Sequence, residues 1–286
     1  MDSLLRGTSR FSGCLIDDIV ISSETFELHE QHVREILSRL RAANLTASIS
    51  KSEFLLRSMT VLGYCLEDGV IKPSQKHIDA VLKIGPQSTK HGVRALMGML
   101  NYHRTMIPSF AEITLCFTEL LKKNQPERNI RWQQKHTDAL EKIKQILTSK
   151  PILVPPKHDR EYIIMADATQ YTIAGILAQK DDDGVERNVA YFSRKLLPNE
   201  VNYSVLEKEA LGILASCLKW HDWIYGHRVV ARTDHRALAF LDSTAQHNAR
   251  IARWKIILSN YDITTEYRKG ANHGNCDALS RIEFSQ

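Results

Sequence analysis

The sequence predicts a mixed α/β (α+β) protein with more than one structural unit. Its 286 residues are 43% hydrophobic and 25% charged, which is typical of a chain that folds around apolar cores. In the first half, short β-branched runs precede amphipathic stretches. In the second half, three strand-like runs precede a long helical pattern, another strand and further helices. Because the order of elements changes between the halves, we expect separate units.

The chain opens with a predicted strand and a predicted helix. Residues 15–22 form an apolar, β-branched run, which predicts a buried strand. Thr25, together with the serines before it, can cap the helix that follows. The predicted buried face of this helix consists of Val33, Ile36, Leu37 and Leu40.

Two more strands, over residues 48–56 and 60–66, are predicted next. Asp68-Gly69 then predicts a hairpin turn back to Val70. Beyond Pro73 the pattern becomes helical, with predicted helices over residues 89–99, 111–122 and 137–147.

Prolines at 151, 155 and 156 interrupt the helical pattern and predict a linker. After them, strands at 162–166, 174–179 and 189–193 predict a three-stranded antiparallel meander. The remaining predicted elements are a helix at 205–220, a strand at 229–233, a helix near Ala237, a helix at 251–258, a strand at 263–267 and a short helix near Asn275.

Charge and cysteine content narrow the classes of function. The net charge of +5 and the pI of about 8.9 suit a polyanionic partner without requiring one. The five cysteines form no CxxC pair, which argues against a zinc site or a disulfide framework. There is no signal-peptide pattern and no apolar run of about 18 residues. We therefore expect an intracellular protein that does not enter a membrane, located in a cytoplasmic particle or in the nucleus.

Acidic residues at strand ends are the main candidates for chemistry. Asp17 and Asp18 are adjacent in an apolar run, whereas Asp167 and Asp234 each end a separate predicted strand. Carboxylates that converge from separate elements can hold the divalent ions of two-metal phosphoryl chemistry. For any one of these residues, a turn or a cap is the competing interpretation.

The helix after Tyr203 offers two glutamates. Ser204 and Glu207 match a capping box, so Glu207 is expected to bind the helix N-terminus. Glu209 lies about 200° further around the helix, beside apolar residues, where a carboxylate needs a partner or a metal. Glu209 is therefore the predicted site residue. Asp277 is a further candidate, with helix-dipole complementarity as its alternative role.

Six ordered segments resemble the ribonuclease H domain and the preceding region of gypsy-type LTR retrotransposon Pol polyproteins. The segments of the ribonuclease H part are MADATQYTIAGILAQ, AYFSRKLLPNEVNYSVLEKEALGI, ARTDHRAL and RWKIILSNYDITTEYRKGANHGNCDALSR. Upstream, VLGYCLEDGVIKPSQKHIDAV and RALMGMLNYHRTMIPSFAEIT resemble the family's palm end, primer-contacting hairpin and thumb. The resemblance implies a partial polymerase palm at 1–80, helical thumb or connection at 81–150, and an RNase H-like mixed-sheet domain at 151–286.

The resemblance implies an endoribonuclease that cleaves the RNA strand of RNA–DNA hybrids. The four nuclease carboxylates carry over to Asp167, Glu209, Asp234 and Asp277. They would hold two Mg²⁺ ions, with Mn²⁺ as an alternative. Some relatives place a histidine near the last aspartate, where the comparable strand end carries Tyr267 here.

LIDDI resembles the family's YxDD turn, in which Asp17 and Asp18 would bind polymerase metal. Leu15 replaces the family's aromatic residue, and the family's third palm aspartate and its fingers lie upstream of this motif. We therefore expect no independent polymerase activity. We also expect low order or self-association before about Ile71, since palm strands would leave an open edge.

Contacts to nucleic acid are implied at several positions, and single basic residues there have ordinary solvated charges as their alternative. The residues are Leu62, Gly63, Tyr64, Asn101, Tyr102, Arg104, Arg194 and Tyr267, with Lys195, Arg232 and Arg268 as further basic candidates. Two other hypotheses stay open: a catalytically inactive protein that only binds nucleic acid, and a fragment whose partners are other parts of a polyprotein.

Overall fold

The computed structural model describes residues 4–8, 10–15, 17–67, 69–149, 153–235 and 248–268. The chain divides into two compact units, Met1–Leu56 and Arg57–Gln286. Both contain helices and strands, which confirms the predicted mixed class. No helix in these described ranges is long and apolar enough to cross a membrane.

The first unit contains a hairpin and one long helix. Strands β1 (Ser12–Leu15) and β2 (Asp18–Ile21) pair antiparallel around a tight turn. The prediction of one buried strand over 15–22 was wrong, because the polar Asp17 lies in the turn and β2 is only half-buried. Helix α1 (Phe26–Ala42) begins after Thr25, whose Oγ1 accepts a hydrogen bond from the Leu28 N–H at 3.2 Å, as predicted.

The core of the first unit is small. Ile36 and Leu40 of α1 pack with Leu5, whereas Leu37 is exposed, so the predicted four-residue face was too wide. The predicted strand over 48–56 was also wrong. This segment contains a 3₁₀ turn at Ile49–Lys51 and pairs with no strand in the described residues. Ile49 is 80% exposed.

The second unit begins with a three-stranded antiparallel sheet, composed of β3 (Ser58–Val61), β4 (Tyr64–Glu67) and β5 (Val70–Pro73). The predicted single strand over 60–66 is broken by a turn, because Leu62 and Gly63 take positive φ values of 49° and 71°. The predicted hairpin around Gly69, with φ 71°, is confirmed.

A helical layer follows this sheet. Its helices are α2 (Gln75–Leu82), α3 (Lys90–Tyr102), α4 (Phe110–Ile113), α5 (Leu115–Leu120) and α6 (Gln134–Thr148). The predicted apolar face of α3 is confirmed by the burial of Val93, Leu96 and Leu100. The helix predicted over 111–122 is interrupted at Thr114. The Thr114 hydroxyl donates a hydrogen bond to the Phe110 carbonyl, a side-chain bond that often bends a helix.

The larger sheet has the order β10-β9-β6-β7-β8. Its strands are β6 (Tyr162–Ala168), β7 (Thr172–Lys180), β8 (Glu186–Lys195), β9 (Arg228–Thr233) and β10 (Asp262–Tyr267), joined by helices α7 (Val205–Lys219), α8 (His221–Ile224) and α9 (Ala249–Leu258). The predicted β6–β7–β8 meander is confirmed, and β9 lies parallel to both β6 and β10. The helices predicted near Ala237 and Asn275 lie outside the described residues.

Both faces of this sheet are covered. Alternate residues of β6, such as Ile164, join the core with α7 and α9. The residues between them, Ile163 and Met165, join Ile176 and Tyr191 in a second core with α3, α4 and α6. The helical layer and the sheet therefore share a core. The division at residues 80 and 150 stays a prediction.

Candidate active site

Asp167 and Asp234 lie at the same edge of the larger sheet. Parallel pairing aligns Met165 of β6 with Arg232 of β9. Two residues further along the chain, Asp167 lies in β6 and Asp234 directly follows the end of β9, so the two aspartates stand at the same level. Both are exposed. Neighbouring strands are about 4.8 Å apart, which puts two carboxylates within reach of a common cation.

Glycine in α7 brings a third carboxylate to this edge. A Cβ atom added at Gly212 would lie 3.3 Å from the Ala166 Cβ and 3.7 Å from the Asp167 carbonyl oxygen. The helix therefore approaches β6 more closely than a larger residue would allow. Glu209 lies one helical turn earlier on the same side. Gly212 was not among the predicted site residues, although a glycine inside a helical pattern is itself a signal of close packing.

Glu209 is buried and electrostatically strained. Its residue is 6% exposed, and its Oε2 atom has no hydrogen-bond partner among the described residues. Burial, and then the charges of Asp167 and Asp234, raise the pKa of Glu209 to about 8, against a hydrogen bond from the Ala168 backbone N–H. The three acids are thus close enough to act on one another.

Glu207 has a different role, as its spacing predicts. It forms the capping box with Ser204, whose Oγ accepts from the Glu207 N–H at 3.2 Å. Its carboxylate also accepts hydrogen bonds from Arg250 at 2.6 Å and from Asn248 at 3.3 Å. Glu207 therefore joins the N-termini of α7 and α9 and is occupied by protein partners.

The donor set suits a hard divalent cation. Carboxylate oxygens are the ligands that Mg²⁺ and Mn²⁺ prefer, and the unpartnered Oε2 of Glu209 is a buried acceptor facing two further acids. Over the described ranges, no three His, Cys, Asp or Glu side chains already form a metal-binding cluster. Asp277 lies outside the described residues.

The N-terminal acid pair has another geometry. Asp17 lies in the β1–β2 turn and Asp18 begins β2, and both are exposed. No metal-binding group of three in the described residues includes them. The pair is therefore supplied by one hairpin alone.

The predicted nucleic-acid contacts at the β3–β4 turn are engaged with α3. The Tyr64 hydroxyl donates to the Tyr102 carbonyl at 2.9 Å, and the Tyr102 hydroxyl donates to the Leu62 carbonyl. The two tyrosine rings stack with centroids 5.4 Å apart. Leu62 is 53% exposed and Tyr102 is 43% exposed, so both keep surface that a ligand could contact.

Two of the predicted arginines also have protein partners. Arg104 donates to the Ser193 carbonyl at 2.6 Å, and Arg194 forms two hydrogen bonds with Glu200 at 2.6 and 3.0 Å. Asn101 is exposed at the end of α3. Tyr267 pairs with Thr233 and is 43% exposed, which places it beside Asp234 at the acidic edge.

Comparison with known proteins gives relatives over nearly the whole chain. The family described as an RNase H-like domain found in reverse transcriptase matches residues 132–231. Two transposon polyproteins of Schizosaccharomyces pombe, Tf2-3 and Tf2-4, are 33% identical over 273 residues, which is 94% of this chain and 20% of each polyprotein. The chain thus spans about a fifth of the length of these curated relatives.

Solved structures share the fold. The foamy viral protease-reverse transcriptase dRH in complex with double-stranded DNA has a TM-score of 0.79 at 23% identity, over 94% of this chain and 47% of that one. The foamy viral protease-reverse transcriptase in complex with an RNA/DNA hybrid has a TM-score of 0.78 at 22% identity, over 94% of this chain and 37% of that one. Residues 132–231 therefore carry the RNase H-like domain found in reverse transcriptase, and nearly the whole chain is similar to one segment of retrotransposon Pol polyproteins of the gypsy type.

Proposed function

We propose that this chain is an endoribonuclease that cleaves the RNA strand of RNA–DNA hybrids through two divalent metal ions. The observation that carries the proposal is the convergence of Asp167, Glu209 and Asp234 from three elements, with Glu209 buried and strained. A buried carboxylate whose pKa is raised by neighbouring acids is typical of a functional site.

Each acid has a distinct role in the proposed site. Asp167 and Asp234 are exposed at the sheet edge, where they can bind a cation and still face a phosphate of the substrate. Glu209 supplies a buried oxygen behind them. Asp277 is the fourth proposed ligand, on the resemblance alone. When bound, Mg²⁺ ions would lower the pKa of an attacking water and stabilise the leaving 3′-oxygen.

The proposed substrate follows from the basic charge and from the fold. The foamy viral proteins of the same fold were solved with double-stranded DNA and with an RNA/DNA hybrid. Selectivity for RNA would come from contacts to 2′-hydroxyls and from the shape of the hybrid. The polymerase-like hairpin is proposed to be inactive alone, and dNTP incorporation on a primed template would contradict this.

The decisive experiment is cleavage of a labelled RNA–DNA hybrid in Mg²⁺, with duplex DNA as the control substrate. Asp167→Asn removes a charged ligand with little change of volume and should abolish cleavage. Asp183→Asn, in the exposed turn between β7 and β8, should leave cleavage unchanged. Unaltered cleavage by Asp167→Asn would show that the site is assigned wrongly.

A second candidate function is nucleic-acid binding without catalysis. It is favoured by Leu15, which replaces the aromatic residue of the YxDD turn in the family that the chain resembles. This function predicts affinity for the hybrid that falls steeply with salt, and no Mg²⁺-dependent cleavage by the parent protein.

A further inference from the structure

Lys195 lies at the same sheet edge as the acids. It is the last residue of β8 and pairs with Thr172, the first residue of β7. Asp167 pairs with Ala174, two residues further along β7. Lys195 therefore stands two strands from β6, which is roughly 10 Å across the sheet.

Three lysines from separate elements gather at this point. The Lys195 ammonium donates to Thr118 Oγ1 of α5. Lys122 follows the end of α5 and Lys135 lies in the first turn of α6, and both act on Glu119 together with Lys195. This lysine cluster consists of Lys122, Lys135 and Lys195.

The three lysines share the carboxylate of Glu119. It is bonded to Lys135 at 3.1 Å and also interacts with Lys122 and Lys195. Burial, and then the charge of Lys122, lower the pKa of Lys195 despite Glu119. The single carboxylate of Glu119 cannot neutralise the charges of all three lysines.

An alternative is that these lysines are ordinary solvated charges of the protein surface, with no ligand. Arg194, next in sequence to Lys195, shows what structural neutralisation looks like here, because Glu200 binds it through both oxygens. Lys195 instead donates to a neutral hydroxyl and faces another lysine. Cations held close together without matching carboxylates are typical of a surface that binds a polyanion.

We propose that the lysine cluster, with the Thr118 hydroxyl, binds the sugar–phosphate backbone of the nucleic-acid substrate about two strands from the acidic edge. This proposal rests on the proposed function. The contact is one of charge with phosphate, so it positions the duplex without reading its sequence. The helical layer would then help to bind the nucleic acid that the acids of the larger sheet cleave.

The test is binding of the full chain to a labelled hybrid and to duplex DNA, in EDTA so that no cleavage occurs, across a salt series. The double variant Lys122→Gln/Lys195→Gln should bind both duplexes about 10-fold more weakly at low salt. The slope of log affinity against log salt should become shallower by roughly 1–2. Lys180→Gln, at the opposite end of β7, is the matched control and should leave affinity and slope unchanged.

A variant that is expected to tighten binding tests whether the weaker binding of the double variant comes from unfolding. Glu119→Gln removes the neutralising carboxylate, so it should tighten binding and steepen the salt slope. Affinity and slope that match the parent in the double variant, or a loss of affinity in Glu119→Gln, would overturn the proposal. Changed binding in a protein that never cleaves would refute the nuclease and leave the lysine cluster supported.

Discussion

The two acidic groups of this chain differ in how the fold supplies them. Asp17 and Asp18 come from one hairpin and both face solvent. Asp167, Glu209 and Asp234 come from two strands and a helix, and one of them is buried. Adjacent acids in the sequence are therefore the weaker evidence for a metal site, since convergence of distant ones needs a topology that brings them together.

The two groups also differ in what they cost the folded protein. Exposed carboxylates at a turn keep their hydration, so the hairpin pair has little effect on stability. Glu209 loses its hydration and meets two like charges, which its raised pKa records. A strain of this kind is expected where function and not stability has selected the residue.

The largest expected effect separates the two regions by deletion. Removing residues 1–56 should leave Mg²⁺-dependent cleavage of the hybrid intact, because that unit contributes none of the proposed nuclease acids. Removing residues 1–150 should abolish it. The second deletion exposes Ile163, Met165, Ile176 and Tyr191, and each loses roughly 1.5–3 kcal/mol of burial.

Together those losses approach the whole stability of a typical domain, about 5–15 kcal/mol. Urea unfolding of both fragments, followed by circular dichroism, measures the difference. Cooperative unfolding and full activity in the fragment 151–286 would show that the helical layer is dispensable. Loss of cleavage on deleting residues 1–56 would show that the hairpin region is needed for catalysis. The two acidic groups would then not differ in the way described.

The second prediction concerns the choice between the two glutamates. Glu209→Gln should lower kcat for hybrid cleavage by more than about 100-fold, because it removes a proposed metal ligand. Glu207→Gln keeps the metal ligands and weakens the cap and the Arg250 pair. Its expected cost is about 1 kcal/mol of stability with most activity retained.

Steady-state kinetics with thermal unfolding of the same samples separates the two outcomes. Asp17→Asn and Asp18→Asn serve as controls and should match the parent in both measurements. If Glu207→Gln is the inactive variant and Glu209→Gln the active one, the assignment is reversed.

The third prediction is a pH-dependent stability without metal. Because the pKa of Glu209 is raised to about 8 in the folded protein, its contribution to stability is fully present below the unfolded pKa of about 4.3. It is lost as pH rises to about 8, by a few kcal/mol. In EDTA at pH 8, Glu209→Gln should therefore be more stable than the parent, with little difference near pH 4.5.

Urea unfolding at the two pH values provides the measurement, and Mg²⁺ supplies the control. Adding Mg²⁺ should stabilise the parent more than the variant, since only the parent has the buried carboxylate ligand beside Asp167 and Asp234. Equal stability of the two proteins at pH 8 in EDTA would mean that Glu209 is not strained.

Local signals in the sequence account for much of this fold. The capping box at Ser204 and Glu207, the β6–β7–β8 meander and the acids at strand ends were all predictable from neighbouring residues. The turn at Leu62 was not, because leucine at a positive φ gives no turn signal. The strand predicted over residues 48–56 has no partner to pair with in the described chain.

Long-range contacts account for the rest. The capping box in the sequence distinguishes Glu209 from Glu207. It does not show that Glu209 lies close to Asp167 and Asp234. The pairing of Arg250 with Glu207 spans 43 residues, and that of Arg104 with Ser193 spans 89. Such contacts are fixed by topology, which composition and periodicity do not specify.

The smallest expected effect tests how the helix places Glu209. In Gly98→Ala, in α3, the new Cβ meets no atom within 4 Å, so the better helix propensity of alanine should add roughly 1 kcal/mol of stability. Gly212→Ala gains the same propensity but pushes against Ala166 at 3.3 Å, so α7 must move by a few tenths of an ångström. Its net stability should fall at least about 1 kcal/mol below that of Gly98→Ala.

Because Glu209 moves with α7 while Asp167 stays on β6, the Mg²⁺ concentration for half-maximal cleavage should rise in Gly212→Ala alone. An equal gain of stability in both variants, with unchanged Mg²⁺ dependence, would mean that the close approach of α7 does not position the buried acid.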